Sequence, residues 1–108
     1  MFDPIDFLKL AEKLLTHDEA KIRTVISRSY YASFLYVREV ASLGELKMPR
    51  VHREVIRFLY GRNPLAANTL HLLRRLRNSA DYDLKRAFSI SEAKLSINYA
   101  KKIISSIT

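Results

Sequence analysis

Cysteine is absent from this 108-residue chain, which excludes disulfides and thiolate metal sites and fits a reducing compartment. Glycine and proline are scarce, with 2 and 3 copies, so there is little material for β-turns or flexible linkers. No apolar run approaches the ~18 residues of a membrane span, and the N-terminus lacks the basic-then-apolar pattern of a signal peptide. No segment alternates with period two, so no strands are expected. Acidic residues are outnumbered, 11 against 19 basic, and between Lys47 and Arg77 the only acid is Glu54.

What is present suits a packed helical domain. Hydrophobic residues make up 48% of the chain, enough for one core, and no repeat or linker divides residues 1–108, so a single domain is expected. The net charge of +8 favours polyanionic partners: RNA, DNA or an acidic protein surface. The alternative is a basic solvated face. Lys47, Arg50, Arg53, Arg57, Arg62, Arg74, Arg75 and Arg77 concentrate the excess, and all but the first carry the planar fork that suits phosphate. A location in the cytoplasm, with no membrane association, is the expectation.

Helix boundaries are marked by capping residues. Asp3-Pro4 opens a first helix with Ile5, Leu8, Ala11 and Leu14 inward, fading near Thr16. Thr16 and Glu19 then read as a capping box for a second helix of about 26 residues, roughly 39 Å, which Gly44 should terminate. Its Ile22, Ile26, Ser29, Ser33, Val37 and Val40 share a face with small residues, flanked by Tyr30, Tyr31, Phe34 and Tyr36. Such an aromatic belt is more often core or a subunit interface than a base-stacking platform, and here it exceeds what one small bundle can bury, which implies a homodimer. Pro49 to Gly61 forms a short third helix with Val51, Val55, Phe58 and Leu59 inward and Arg50, Arg53 and Arg57 outward. His52 falls on neither face. Asn63-Pro64 opens a fourth helix whose buried row reads Leu65, Thr69, Leu72, Leu73 and Leu76, fraying between Arg77 and Asp83. Ser89 and Glu92 form a further capping box before a fifth helix burying Ala93, Ile97, Ala100, Ile104 and Ile107. The fold class is therefore all-α: an antiparallel four-helix bundle with one additional short helix.

The richest stretch ends the fourth helix. Leu73, Arg77 and Asp81 stack on one face at four-residue steps, so an arginine continues an apolar stripe, with Asn78 and Tyr82 nearby. Arg77 is either a structural partner of Asp81 or a cation in a cleft for an anion. Arg28, at the edge of the aromatic belt, is a second candidate for that anion site, and Arg74 is a third. Metal chemistry has no support: there is no His-x-x-x-His, no Glu-x-x-His and no acidic cluster, and no cofactor is expected. Gly44 and Gly61 are isolated, so a phosphate loop is excluded, and no serine has a neighbouring base.

Arg77-Asn78-Ser79-Ala80-Asp81-Tyr82, an RxxADY string, resembles the signature of the HEPN-domain family. Ser27-Arg28-Ser29-Tyr30-Tyr31-Ala32-Ser33-Phe34 resembles the R-x-x-Y-Y-A-x-F helix common in small prokaryotic members, and order and spacing carry the likeness over nearly the whole chain. The resemblance implies a dimerising helical domain that binds RNA or nucleotide and partners a minimal nucleotidyltransferase in a toxin–antitoxin-like module. The leading reading places Arg77, Asp81 and Tyr82, the catalytic candidates, in a polar cleft at the subunit interface, with Arg28, Arg74 and Asn78 as candidates for binding the nucleic acid or nucleotide. Many members resemble metal-independent endoribonucleases in which histidine follows the arginine by four to six residues. Here no histidine lies between Asn78 and Ala87, and the fifth position holds Tyr82; a phenol, titrating near pH ~10, donates a proton but is a poor base at neutral pH. Arg77 is permanently protonated and cannot be the base. The tyrosine that some members nucleotidylate falls on Leu84. These departures count against cleavage of the usual kind. The alternative from another class is a non-catalytic interaction module in which Arg77, Asp81 and Tyr82 form a structural network. A DNA-binding helix-turn-helix fits less well, because the fourth helix is too apolar to read a groove.

Overall fold

A computed structural model describes residues 2–47 and 49–108. Five helices follow in chain order: α1 Ile5–Leu14, α2 Glu19–Val40, α3 Arg50–Arg62, α4 Pro64–Tyr82 and α5 Ile90–Ser106, with no strand among the described residues. The all-α architecture expected from periodicity is the one observed. No helix of the described residues is long and apolar enough to cross a membrane. α2 is the central element and packs against every other helix, in a body of 36 × 25 × 24 Å.

The helix ends follow from local chemistry. The Asp3 carboxylate accepts the Ile5 N–H at 3.0 Å and so serves the first turn of α1. α2 is capped by Asp18, which accepts from the Lys21 N–H at 3.1 Å, in place of the expected Thr16. A carboxylate does the same work as the hydroxyl and also suits the positive end of the helix. Asn63 ends α3 and caps α4, its side chain accepting from the Ala66 N–H at 3.2 Å. Ser89 and Glu92 form the reciprocal capping box anticipated for α5.

α2 is shorter than expected, 22 residues, because Ser42 rather than Gly44 takes the left-handed conformation, with φ 58°. The Leu43 N–H reaches the Arg38 carbonyl and the Ser42 N–H the Glu39 carbonyl, a pairing that closes the last turn before Gly44 is reached.

Burial corrects one further expectation and divides another. On α2, Ser29, Tyr30, Ala32, Ser33 and Phe34 are buried inside the bundle itself, while Tyr31 and Tyr36 are half-buried and Val40 is 44% exposed. On α4 the inward row is Ala66, Ala67, Leu70, Leu73 and Ala80. Leu65 and Leu72, placed inside by the sequence reading, are 77% and 48% exposed. Two leucine-bearing stripes overlap on this helix, and the one with alanines lets α4 approach α2 more closely. α4 runs to Tyr82 without fraying, for a reason that lies on α2.

Arg23 reaches across from α2 to the C-terminus of α4. Its guanidinium donates to the Ala80 carbonyl at 2.9 Å, the Asp83 carbonyl at 3.0 Å and the Arg86 carbonyl, while Nε meets Glu19 at 3.3 Å. The group also lies 4.9 Å over the Phe88 ring. A helix end leaves carbonyls without partners, and a cation is the favoured group there. Arg23 fills both needs and holds the connector from Asp83 to Arg86 against the bundle.

Candidate functional site

Leu73 anchors α4 in the core, and one turn on, the same face delivers Arg77 into the aromatic side of α2. The Arg77 side chain is only 15% exposed. Its guanidinium lies 5.2 Å from the Tyr30 ring centroid and 5.1 Å from that of Tyr31. One terminal nitrogen donates to the Tyr31 hydroxyl at 2.6 Å and the other to the Asn78 side-chain carbonyl at 2.6 Å. Nε approaches the Asp81 carboxylate at 3.4 Å but off line for a hydrogen bond, so that contact is Coulombic. Burial works against the charge, yet the Tyr31 hydroxyl and the Asp81 carboxylate outweigh it and hold the arginine's pKa above its ordinary value.

Arg77 is therefore a structural partner of Asp81 and also a wall of a groove. That groove, about 330 Å³, is lined by Tyr30, Tyr31, Phe34, Arg38, Lys47 and Arg77, with Leu35, Leu46 and Val51. Three cations face it and no carboxylate does. The Arg38 Nε is enclosed without a hydrogen-bond acceptor among the described residues.

The other candidate residues divide. Asp81 is held by Arg77 and receives the Ser27 hydroxyl at 3.4 Å. Asn78 orients Arg77. Arg28 stacks at 5.0 Å on Phe7 and 5.4 Å on Tyr31, at the border of the cluster. Tyr82 stands apart: five residues on, it is turned about 140° around the helix from Arg77, is 75% exposed, and lines a shallow hollow with Asn78, Ser79 and Asp83. Arg74 faces a different groove, shared with His52 and His71. No group of three or more metal-ligating side chains occurs among the described residues.

Sequence reading missed Tyr31, Arg38, Lys47 and His52 as members of this region. His52 is buried, stacks on Phe34 with centroids 5.9 Å apart, and pairs Nδ1 with the Tyr30 hydroxyl at 3.3 Å. Burial, with Arg74, His71 and Arg77 nearby, lowers its pKa to about 4. Burial also pushes the Tyr30 phenol up to about 12, against the pull of Arg74 and Arg77.

A bundle centred on one long helix, with an arginine set among its tyrosines, defines the class, and the chain belongs to the HEPN-domain family. The model of the HEPN domain matches residues 5–108. Two relatives come from the archaeon Methanocaldococcus jannaschii. Uncharacterized protein MJ0628 is 31% identical over an alignment of 123 positions, covering 92% of this chain and 74% of the relative. Uncharacterized protein MJ0992 is 31% identical over 137 positions, covering 100% of this chain and 77% of the relative. No solved structure matches the chain significantly. Membership points to a nucleotide- or RNA-related function.

Two outcomes follow from the geometry. Arg77→Ala should lower stability by about 2 kcal/mol, the scale of losing hydrogen bonds to a charged group. A double-mutant cycle with Asp81→Asn should show coupling near ~1 kcal/mol; urea unfolding measures both, and zero coupling would make the ion pair incidental. The second concerns pH. Burial holds the folded pKa of His52 at about 4, below the ordinary histidine value of 6.5, so the unfolded chain takes up the proton first as pH falls. Stability is then lost between pH 6.5 and about 4, by at most about 3.5 kcal/mol at ~1.4 kcal/mol per unit. Melting curves across this range check it, and His52→Gln should flatten the slope.

Proposed function

We propose that this HEPN-domain protein binds RNA or a nucleotide in the Arg77 groove. One observation carries the reading: Arg77, Arg38 and Lys47 converge on a concavity walled by Tyr30, Tyr31 and Phe34, with no carboxylate lining it. Aromatic faces suit a base and guanidinium groups suit its phosphate. Arg28, stacked on Tyr31, extends the positive edge, and Asn78 acts through Arg77, which it orients; Arg74 lies outside this groove. The geometry favours binding over cleavage. Asp81 is occupied by Arg77 and Ser27, and Tyr82 points to a different part of the surface. Arg77, Asp81 and Tyr82 thus supply a fixed cation and an exposed phenol but no base for a ribose hydroxyl.

Fluorescence anisotropy with a short single-stranded RNA tests this reading. Affinity should fall as salt rises with a log–log slope near about −2, as expected for roughly three neutralised phosphates. Arg38→Gln and Lys47→Gln should each weaken binding by about tenfold, the loss of one charge-assisted contact. Affinity unchanged by salt, or by both substitutions, rejects the groove as the site.

The resemblance to small prokaryotic HEPN proteins supports a minimal nucleotidyltransferase as partner, in a toxin–antitoxin-like pair, and supports a homodimer. For the dimer, α4 offers an apolar surface: Leu65 and Leu72 are exposed at seven-residue spacing, with Asn68 and Ser79 on the same strip and Arg75 at its border. A second copy of the chain is the occupant we assign to it. Light scattering should give a mass above the 12.6 kDa of one chain, falling to it in Leu72→Lys, and a heavier species when a minimal nucleotidyltransferase is added. One-chain mass at micromolar concentration removes the dimer.

A further inference from the structure

The Arg77 groove leaves both histidines of the α3–α4 seam unused. A second groove, of about 310 Å³, is lined by Pro49, His52, Arg53, Ile56, His71 and Arg74, and shares no lining residue with the first. Two of the six residues are arginines, two are histidines, and none is acidic. Neither Arg53 nor Arg74 has a carboxylate within salt-bridge distance among the described residues. α3 enters the groove with no side-chain cap and no acid in its first turn, so the positive end of the helix is uncompensated. Such a surface repels cations and attracts anions.

His52 gives the groove a specific need. Its side chain is enclosed, with the residue 6% exposed, and Nε2 has no hydrogen-bond partner among the described residues. The tautomer follows from Tyr30. Either atom of that pair could donate; the buried hydroxyl has no other acceptor among the described residues, so we assign it as donor to Nδ1, which puts the ring proton of the neutral imidazole on Nε2. Nε2 is thus an N–H donor without an acceptor, a state that costs free energy until an acceptor arrives. The groups facing the ring are Phe34 and Tyr30 from α2 and His71, Arg74 and Arg77 from α4; none is a carboxylate, and none accepts from Nε2. With two arginines beside it, an anionic acceptor is the one the surroundings favour.

We propose that the α3–α4 groove binds a phosphoryl oxyanion, with His52 Nε2–H donating to one oxygen and Arg53 and Arg74 carrying the opposing charge. Guanidinium forks match two phosphoryl oxygens, and the neutral imidazole supplies a directional donor. The exposed His71 ring, packed edge-on against His52 with centroids 6.3 Å apart, turns aside to admit the oxygen. A terminal phosphate monoester and a backbone phosphodiester present the same oxygens, so both are sources of the ligand. The groove stands on residues other than those of the Arg77 groove, and the two are read by different signals.

The test is an NMR titration of the full chain with inorganic phosphate at constant ionic strength, following the imidazole nitrogens. The free protein should show His52 protonated at Nε2. Phosphate should move that resonance saturably, with a Kd on the order of 1 mM. Arg53→Gln, on an exposed side chain, should weaken binding about tenfold, as loss of one charge-assisted contact implies. His52→Gln, which keeps a distal N–H, should retain more affinity than His52→Asn, whose amide reaches only the proximal position. A short RNA with a 5′-phosphate that binds here more tightly than its 5′-hydroxyl counterpart assigns the site to a terminal monoester; equal binding of the two at His52 assigns it to the backbone. A His52 resonance that stays fixed, or drifts linearly, through phosphate concentrations about tenfold above that Kd overturns the proposal. So does a saturable shift that is undiminished in Arg53→Gln. Loss of RNA anisotropy with the phosphate response intact would fail the Arg77 groove alone.

Discussion

Two guanidinium groups cross the α2–α4 seam in opposite directions, and the assembly depends on that exchange. Arg23 leaves α2 to meet the carbonyls at the end of α4, and Arg77 leaves α4 to lie among the tyrosines of α2. Both side chains are largely covered, at 17% and 15% exposed. A covered cation must be paired and hydrogen-bonded, or burial costs more than it returns. Each arginine meets that condition only at one relative position of the two helices, so the pair fixes their register where leucine and alanine packing alone would tolerate a slip.

The rest of the site hangs from this register. With Arg77 in place, Tyr31 is bound at its hydroxyl and Tyr30 is pressed inward, where its own hydroxyl finds His52 on α3. The short helix is thereby tied to the central one by a polar contact as well as by Val51, Val55 and Leu59. Two grooves open on either side of Tyr30: one walled by aromatics and Arg77, the other by histidines and Arg74. A chain with 19 basic residues against 11 acidic ones thus keeps several cations without acidic neighbours, at places where a ligand can reach them.

Much of the fold was legible because it is written locally. Ser89 and Glu92 announce α5 within four residues, and Asn63-Pro64 announces α4. The end of α2 was not legible, because a serine took a backbone conformation that glycine ordinarily supplies. The inward face of α4 was ambiguous: Leu65 and Leu72 are as apolar as Leu70 and Leu73, and only the neighbouring alanines decide which pair can approach α2. In the site, the four-residue step from Arg77 to Asp81 was visible, but the spacing left open whether Arg77 is a structural partner of Asp81 or a cation in a cleft. Tyr31 lies 46 residues from Arg77 and His52 22 from Tyr30, separations at which helical periodicity carries no information. How much of the α2 belt the bundle covers was not legible for the same reason: Tyr30 and Phe34 are enclosed by helices distant in the chain, and Tyr31 and Tyr36 only in part.

The Arg23 clamp also has an entropic side. It joins residues 57 to 63 positions apart in the chain. Closing a loop of that size costs only ~1.2 kcal/mol more than closing one of about 15 residues, because the penalty grows with the logarithm of length. One net hydrogen bond of ~1 kcal/mol nearly offsets that difference, and Arg23 makes several, some to carbonyls a helix end would otherwise leave to water. Chain distance is therefore no obstacle to fastening the last turn of one helix with a side chain from another. The loop from Asp83 to Arg86 is held not by its own composition but by a residue some sixty places earlier, so changes at Arg23 reach a segment with which it shares no sequence neighbourhood.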